Sequence, residues 1–268
     1  MSQQQAVAEK PTVAEFANQV REQLIPIVSR FSYFAAGVSF NEDDVKEYLE
    51  EPVLALPPRL REAIPEVAIL LVPYLARRRK RDDGGTVSED VVCFDRPERD
   101  EILDTAVTAP DRIYLAFGVK GQDVAEYHYR LFRRLAELGV SYLEGDLCEP
   151  FYNVVREELS SGVHGEVDEE SWELKRALQR RQKRYHRRTK GFTQYARQAL
   201  TDTLSLYLHG ICCDIDIETG PRQLPSRHLR RRLELLQAIC PPPAGYAVFP
   251  EDLKAIEETD LPPDAPVV

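Results

Sequence analysis

Apolar positions recur at helical spacing near the start of the chain. Phe16, Val20, Leu24 and Phe31 share one face, and "TVAE" (residues 12–15) has the form of a capping box that would begin the helix. Pro26 falls inside that pattern and is expected to kink or split it. "NEDD" (41–44) predicts the cap of a second short helix, ended by Pro52. Pro57, Pro58, Pro65 and Pro73 then divide the chain into short segments, and "RRRKRDDGG" (77–85) reads as a loop.

The period changes after residue 90. "VVCFD" (91–95), "RIYLAFG" (112–118) and "GVSYLEGD" (139–146) are short β-rich runs. Between the last two, Val124, Tyr127, Leu131, Leu135 and Leu138 form one helical stripe, with Gly139 as a natural stop. That order is a βαβ unit, and residues 97–107 supply a preceding helix. A wholly helical region is the rival reading; the mixed one fits the β-rich runs better. From about 168 the pattern is helical again. Asp168 can cap a helix whose apolar face opens with Trp172, Leu174 and Leu178 and resumes with Phe192, Tyr195, Ala199, Thr203, Tyr207 and Leu208. "SRHLRRRLELLQAIC" (226–240) predicts a further helix, stopped by "PPP".

The expected fold is therefore α/β to α+β and helix-dominated. It has a helical N-terminal region (12–82), a small parallel β-α-β core and long C-terminal helices within 90–240, one of them strongly basic. Residues 1–11 and 257–268 read as flexible tails.

Composition narrows the class. An apolar fraction of 43% in 268 residues suffices for a folded core. The longest apolar run, "VAILLV" (67–72), is too short for a bilayer helix, and the first residues lack the form of a signal peptide. Five cysteines without a disulfide-framework spacing fit a reducing, cytoplasmic setting.

Charge changes the picture more. The net charge is −10, yet residues 175–190 hold nine Lys or Arg and no acid. Smaller clusters are "RRRKR" (77–81) and "RHLRRR" (227–232). Like charges three and four apart disfavour a helix, so an anion is expected to compensate. The candidate partner-binding residues are Arg180, Arg181, Lys183, Arg184, Arg187, Arg188 and Lys190. Tyr185, His186 and Phe192 are candidates to stack bases. The anion would be nucleic acid, an acidic protein face, or the acidic surface of this chain or of a second copy.

Two other constellations carry chemistry. "LYLHGICCDIDIETG" (206–220) offers His209, Cys212 and Cys213, one ligand short of a closed zinc site. The better reading ends a helix at Gly210 and starts a strand, with Ile211, Cys213, Ile215 and Ile217 on one side. Asp214, Asp216 and Glu218 on the other side could hold magnesium only with a ligand from elsewhere, so no metal is assigned. The strand ends of the βαβ region would present a ligand pocket built from Asp95, Lys120 and Asp146. "GVKG" around Lys120 is neither a phosphate loop nor a dinucleotide fingerprint.

Residues 112–146 resemble the opening strand-helix-strand of TIR domains. That family's later glutamate has no clean counterpart, because in "ESWELK" (170–175) Lys175 stands where the acid should be. The family's third strand is also missing, so the likeness ends at a βαβ unit.

No catalytic or cofactor-binding signature occurs. The sequence thus points to a non-catalytic, cytoplasmic binding or assembly protein that uses a basic helix to contact an anionic partner. The alternative is a nucleotide- or phosphate-ester-binding enzyme with its site at the strand ends.

Overall fold

Thr12 does begin a helix, but Pro26 marks a change to strand rather than a kink. The computed structural model describes residues 10–82, 85–181, 185, 187–213, 222–249 and 251. Among the described residues the fold is mixed α/β and helix-dominated, with a mixed five-stranded sheet and a small three-stranded one. Residues 1–9 and 257–268, expected as tails, lie outside the described residues. The chain divides into two compact units, Met1–Val53 with Pro65–Arg130, and Leu54–Ile64 with Leu131–Val268.

In the first unit α1 (Val13–Val20) is held by a reciprocal cap. Thr12 Oγ1 accepts from the Glu15 N–H at 3.2 Å, and the Glu15 carboxylate accepts from the Thr12 N–H at 2.8 Å. Two strands follow, β1 (Ile25–Val28) and β2 (Phe31–Ala35). Pro26 is tolerated because β1 is a sheet edge, where a missing N–H costs no ladder bond. Next come α2 (Glu42–Val45), a π-helical turn (Lys46–Glu50) and α3 (Glu51–Leu54), then α4 (Pro58–Ala63) of the second unit. Pro52 does not end a helix, since the chain stays helical from the π-helical turn into α3.

The run "VAILLV" is the central strand, β3 (Glu66–Val72). Ala68, Leu70 and Val72 pack with Val13, Phe16 and Val20 of α1, and Val67, Ile69 and Leu71 are buried on the opposite face. Burial on both faces is why the strand shows no alternation. After it come β4 (Tyr74–Asp82), β5 (Gly85–Cys93), β6 (Glu101–Ile102), β7 (Asp104–Thr108) and β8 (Arg112–Gly118). Residues 97–107 are thus an irregular segment followed by strand, not a helix. The larger sheet runs β1-β2-β3-β8-β7, with β2, β3 and β8 parallel and the two edges antiparallel.

The smaller sheet is β5-β4-β6 and corrects the loop expected at 77–85. "RRRKR" lies on β4, and the register puts Arg77 opposite Asp90 and Arg78 opposite Glu89. Those pairs close at 2.9 and 3.0 Å. Two of the cluster's five cations, Arg77 and Arg78, are thus answered by their hairpin partners.

The long helix α5 (Val124–Tyr142) begins in the first unit and ends in the second. Gly139 lies inside it: a Cβ there would meet Leu60 Cδ1 at 2.7 Å and Leu204 Cδ2 at 3.1 Å. The glycine serves close packing of α4 and α8 rather than a helix stop. Residues expected as a third β-run instead close α5 and open α6 (Glu144–Ser160). The remaining helices are α7 (Glu169–Arg181), α8 (Lys190–Cys212) and α9 (Ser226–Ile239). Phe151, Tyr152, Phe192, Tyr195, Leu204, Tyr207 and Leu236 fill the core of this unit. Among the described residues no helix is long and apolar enough to cross a membrane.

Candidate functional site

The basic run is two helices and the segment between them, not one helix. Like charges at helical spacing and the lack of an apolar stripe disfavour one continuous helix through this run. Lys183, Arg184 and His186 lie outside the described residues.

The other members of the run meet different fates. Lys175, its first cation, is fully buried. Its Nζ donates to the Gly165 carbonyl at 2.7 Å and to Glu166 Oε1 at 3.0 Å. Glu166 also accepts from the Tyr195 hydroxyl and from Arg232, which reaches Glu158 as well. Two cations and two carboxylates thus balance in the interior. Burial alone would raise the Glu166 pKa, but Arg232, Lys175 and Tyr195 outweigh it and hold it down at about 2. Arg232 comes from the cluster "RHLRRR", so that cluster too is partly core. Both cations lie on apolar stripes, Lys175 between Trp172 and Leu178, and Arg232 beside Leu229, Leu233 and Leu236. That spacing was the sequence signal for their burial.

Arg188 is engaged at the surface. It pairs with Glu149 of α6, and its guanidinium lies 4.8 Å from the Tyr152 ring centroid. Thr189 then caps α8, its Oγ1 accepting from the Phe192 N–H. Phe192 is fully buried, edge-on to Tyr152, so it cannot stack a base. Tyr185 is half-buried.

Arg180, Arg181, Arg187 and Lys190 are exposed, and none pairs with a carboxylate among the described residues. Many other arginines of this unit do pair, although exposed Arg176 and Arg227 show no carboxylate partner among the described residues either. Arg59 pairs with Asp146, Arg133 with Glu170, Arg222 with Glu169, Arg230 with Glu251 and Arg231 with Glu157. Helix dipoles sharpen the contrast. Arg180 and Arg181 sit at the negative end of α7, where cations are favoured. Lys190 opens α8, whose first turn has no acid, so positive charge accumulates at a positive helix end.

The strand-end residues are dispersed. Lys120 follows β8 and lines an open cleft of roughly 330 Å³ at the carboxyl ends of the parallel strands. Asp95 lies in the exposed segment after β5 and is not part of its wall. Asp146 belongs to α6 of the second unit, 2.6 Å from Arg59. In their place the cleft brings Ser39, Phe40, Asp44 and Tyr48 together with Lys120. These came from a segment read only as a helix cap. Burial, followed by Glu47 and Asp44, raises the Tyr48 pKa, so its hydroxyl stays protonated.

In the cysteine-rich stretch α8 runs past Gly210 to Cys212, so Ile211 and Cys212 are helical and not strand. Asp214, Asp216 and Glu218 lie outside the described residues. Among the described residues no three His, Cys, Asp or Glu side chains gather as metal ligands.

Compared with protein-family models, curated proteins and solved structures, the chain matches none.

Proposed function

We propose that this is a non-catalytic binding protein that docks an anionic macromolecule on the basic surface between α7 and α8. One observation carries the reading. In a unit that answers most of its arginines with carboxylates, Arg180, Arg181, Arg187 and Lys190 stand exposed without one among the described residues. The complementary chemistry is a row of closely spaced anionic oxygens, either nucleic-acid phosphates or the carboxylates of an acidic protein face, including one on a second copy. The surface has a firm base, since Lys175 anchors α7 in the core and Arg188 ties the approach to α8 onto α6. A cytoplasmic setting is supported by Cys93, Cys148 and Cys240, which are buried thiols rather than disulfides.

The test is fluorescence anisotropy with labelled oligonucleotides and with a glutamate-rich peptide. Four phosphate contacts imply roughly a hundredfold loss of affinity from about 50 to about 200 mM salt. The triple variant Arg180→Ala, Arg181→Ala, Arg187→Ala should lose most of the binding while its thermal melt is unchanged, because these side chains are exposed. Wild-type protein that binds neither probe, or a triple variant that binds as wild type does, overturns the reading.

A further inference from the structure

The cleft of the first unit has the parts of a small-molecule site, independent of the basic surface in the second. Its position follows from topology. β2, β3 and β8 run parallel, and the segments leaving β2 and β8 flank the end of β3. Ligands of open α/β sheets sit beyond the carboxyl ends of such strands. Gly37, with φ +67°, turns the chain out of β2, and a Cβ there would meet Phe94 at 2.7 Å and Pro73 at 2.8 Å. That turn delivers Ser39 and Phe40 to the wall of the cleft.

The wall is ordered from behind. Phe40 meets Tyr48 edge-on with centroids 5.2 Å apart, Tyr48 meets Tyr127 at 5.1 Å, and Tyr127 meets Phe117 of β8 at 5.2 Å. His128 Nε2 lies 3.0 Å from the Glu47 carbonyl oxygen and fixes the turn that carries Tyr48. Asp44 is set by its cap, where Oδ2 accepts from the Asn41 N–H at 2.9 Å, leaving its other oxygen for a donor. Opposite charge comes from Lys120, whose Nζ lies 5.8 Å from the Tyr74 centroid and pairs with no carboxylate among the described residues.

We infer that this cleft binds a small ligand joining one flat ring system to one anionic group, a mononucleotide being the simplest case. Tyr48 and Phe40 supply the aromatic wall, Lys120 takes the phosphate or carboxylate, and Asp44 accepts from an amino or hydroxyl group. The volume agrees, since roughly 330 Å³ lies at the lower end of small-molecule sites and suits a mononucleotide better than a dinucleotide.

Isothermal titration of the full chain with AMP, GMP and UMP, their nucleosides, inorganic phosphate and an aromatic carboxylate tests this. At least one ring-bearing anion should bind, and the matching nucleoside should bind about tenfold more weakly. Binding of the carboxylate alone would assign the anion as carboxylate, and binding of the nucleotides alone as phosphate. Lys120→Ala should weaken binding about tenfold, and Tyr48→Ala should remove ring discrimination while Tyr48→Phe keeps it. Lys120 is exposed, so its variant keeps the fold, and a loss there cannot come from the basic surface between α7 and α8. The inference is overturned if none of these probes binds, if phosphate binds as well as the nucleotides, or if Lys120→Ala and Tyr48→Ala both bind as wild type does.

Discussion

Arg232 of α9 and Glu166, just ahead of α7, meet through two hydrogen bonds, Nη1 to Oε2 at 2.8 Å and Nη2 to Oε1 at 3.1 Å, with both side chains shut off from solvent. Arg232 also reaches Glu158, so its loss would leave two buried carboxylates with Lys175 as their one buried cation among the described residues. Arg232→Ala is expected to cost about 3–5 kcal/mol, read from urea unfolding. Replacing Arg232, Lys175, Glu158 and Glu166 together by apolar residues of similar volume should cost far less, because no buried charge is then left alone. Equal losses in the two proteins would contradict this account.

A second carboxylate has the opposite pH behaviour. Asp202 on α8 is buried, and although Gln198 Nε2 donates to Oδ1 at 2.8 Å, burial pushes its pKa up to about 6 from 3.8. Its folded pKa exceeds its unfolded one, so it lowers stability progressively as pH rises from about 4 to about 6 and holds that cost above. Asp202→Asn should therefore unfold at higher denaturant than wild type at pH 7.5, by roughly 3 kcal/mol. The difference should shrink toward zero near pH 4. A difference independent of pH would show that the carboxyl does not titrate in this window.

Tyr127 is fully buried, and its hydroxyl has no hydrogen-bond partner among the described residues. Tyr127→Phe keeps the ring contacts to Tyr48 and Phe117 and removes an unanswered polar group. The variant should be as stable as wild type or more stable by about 1 kcal/mol. A clear loss in a thermal melt would reveal a partner for that hydroxyl, such as an enclosed water.

Two glycines with left-handed backbones should respond unequally to alanine. Gly165 has φ +78°, and a Cβ there would lie 2.0 Å from the Gln223 carbonyl oxygen. Its closeness lets Glu166 and residues 222–224 exchange backbone hydrogen bonds of 2.9 and 3.0 Å. Gly162 has φ +69° with nothing near the added carbon. Gly162→Ala should cost about 1 kcal/mol from backbone strain alone, and Gly165→Ala about 3 kcal/mol or more. Similar melting temperatures would refute the contact.

What could be read from sequence depended on how local the cause was. The cap at Thr12, the strand at 112–118 and the helix at 226–239 were legible because neighbouring residues specify them. β3 was not, because a strand covered on both faces loses its alternation and looks like any apolar run. Gly139 was misplaced because its role is to admit Leu60 and Leu204, contacts distant in sequence. The same limit applied to charge. Density along the chain located Arg180, Arg181, Arg187 and Lys190, but could not separate them from Lys175, Arg232 or the hairpin arginines, whose counterparts only the fold supplies. In the cleft Lys120 was found from its strand, whereas Asp44 and Tyr48 were hidden in a segment with no motif of its own.

The enclosed charges join α6, the segment before α7, α7, α8 and α9 at one point. No one of these helices can melt without opening ions that have nowhere else to go, so their slowest amide protons should exchange as a single block. Arg180 stands only five residues, about 7.5 Å of helix, beyond that knot. If the proposed partner docks there, Arg180 and Arg181 stand on a helix that Lys175 anchors in the core, so little backbone-ordering entropy would be subtracted from the attraction at those two positions.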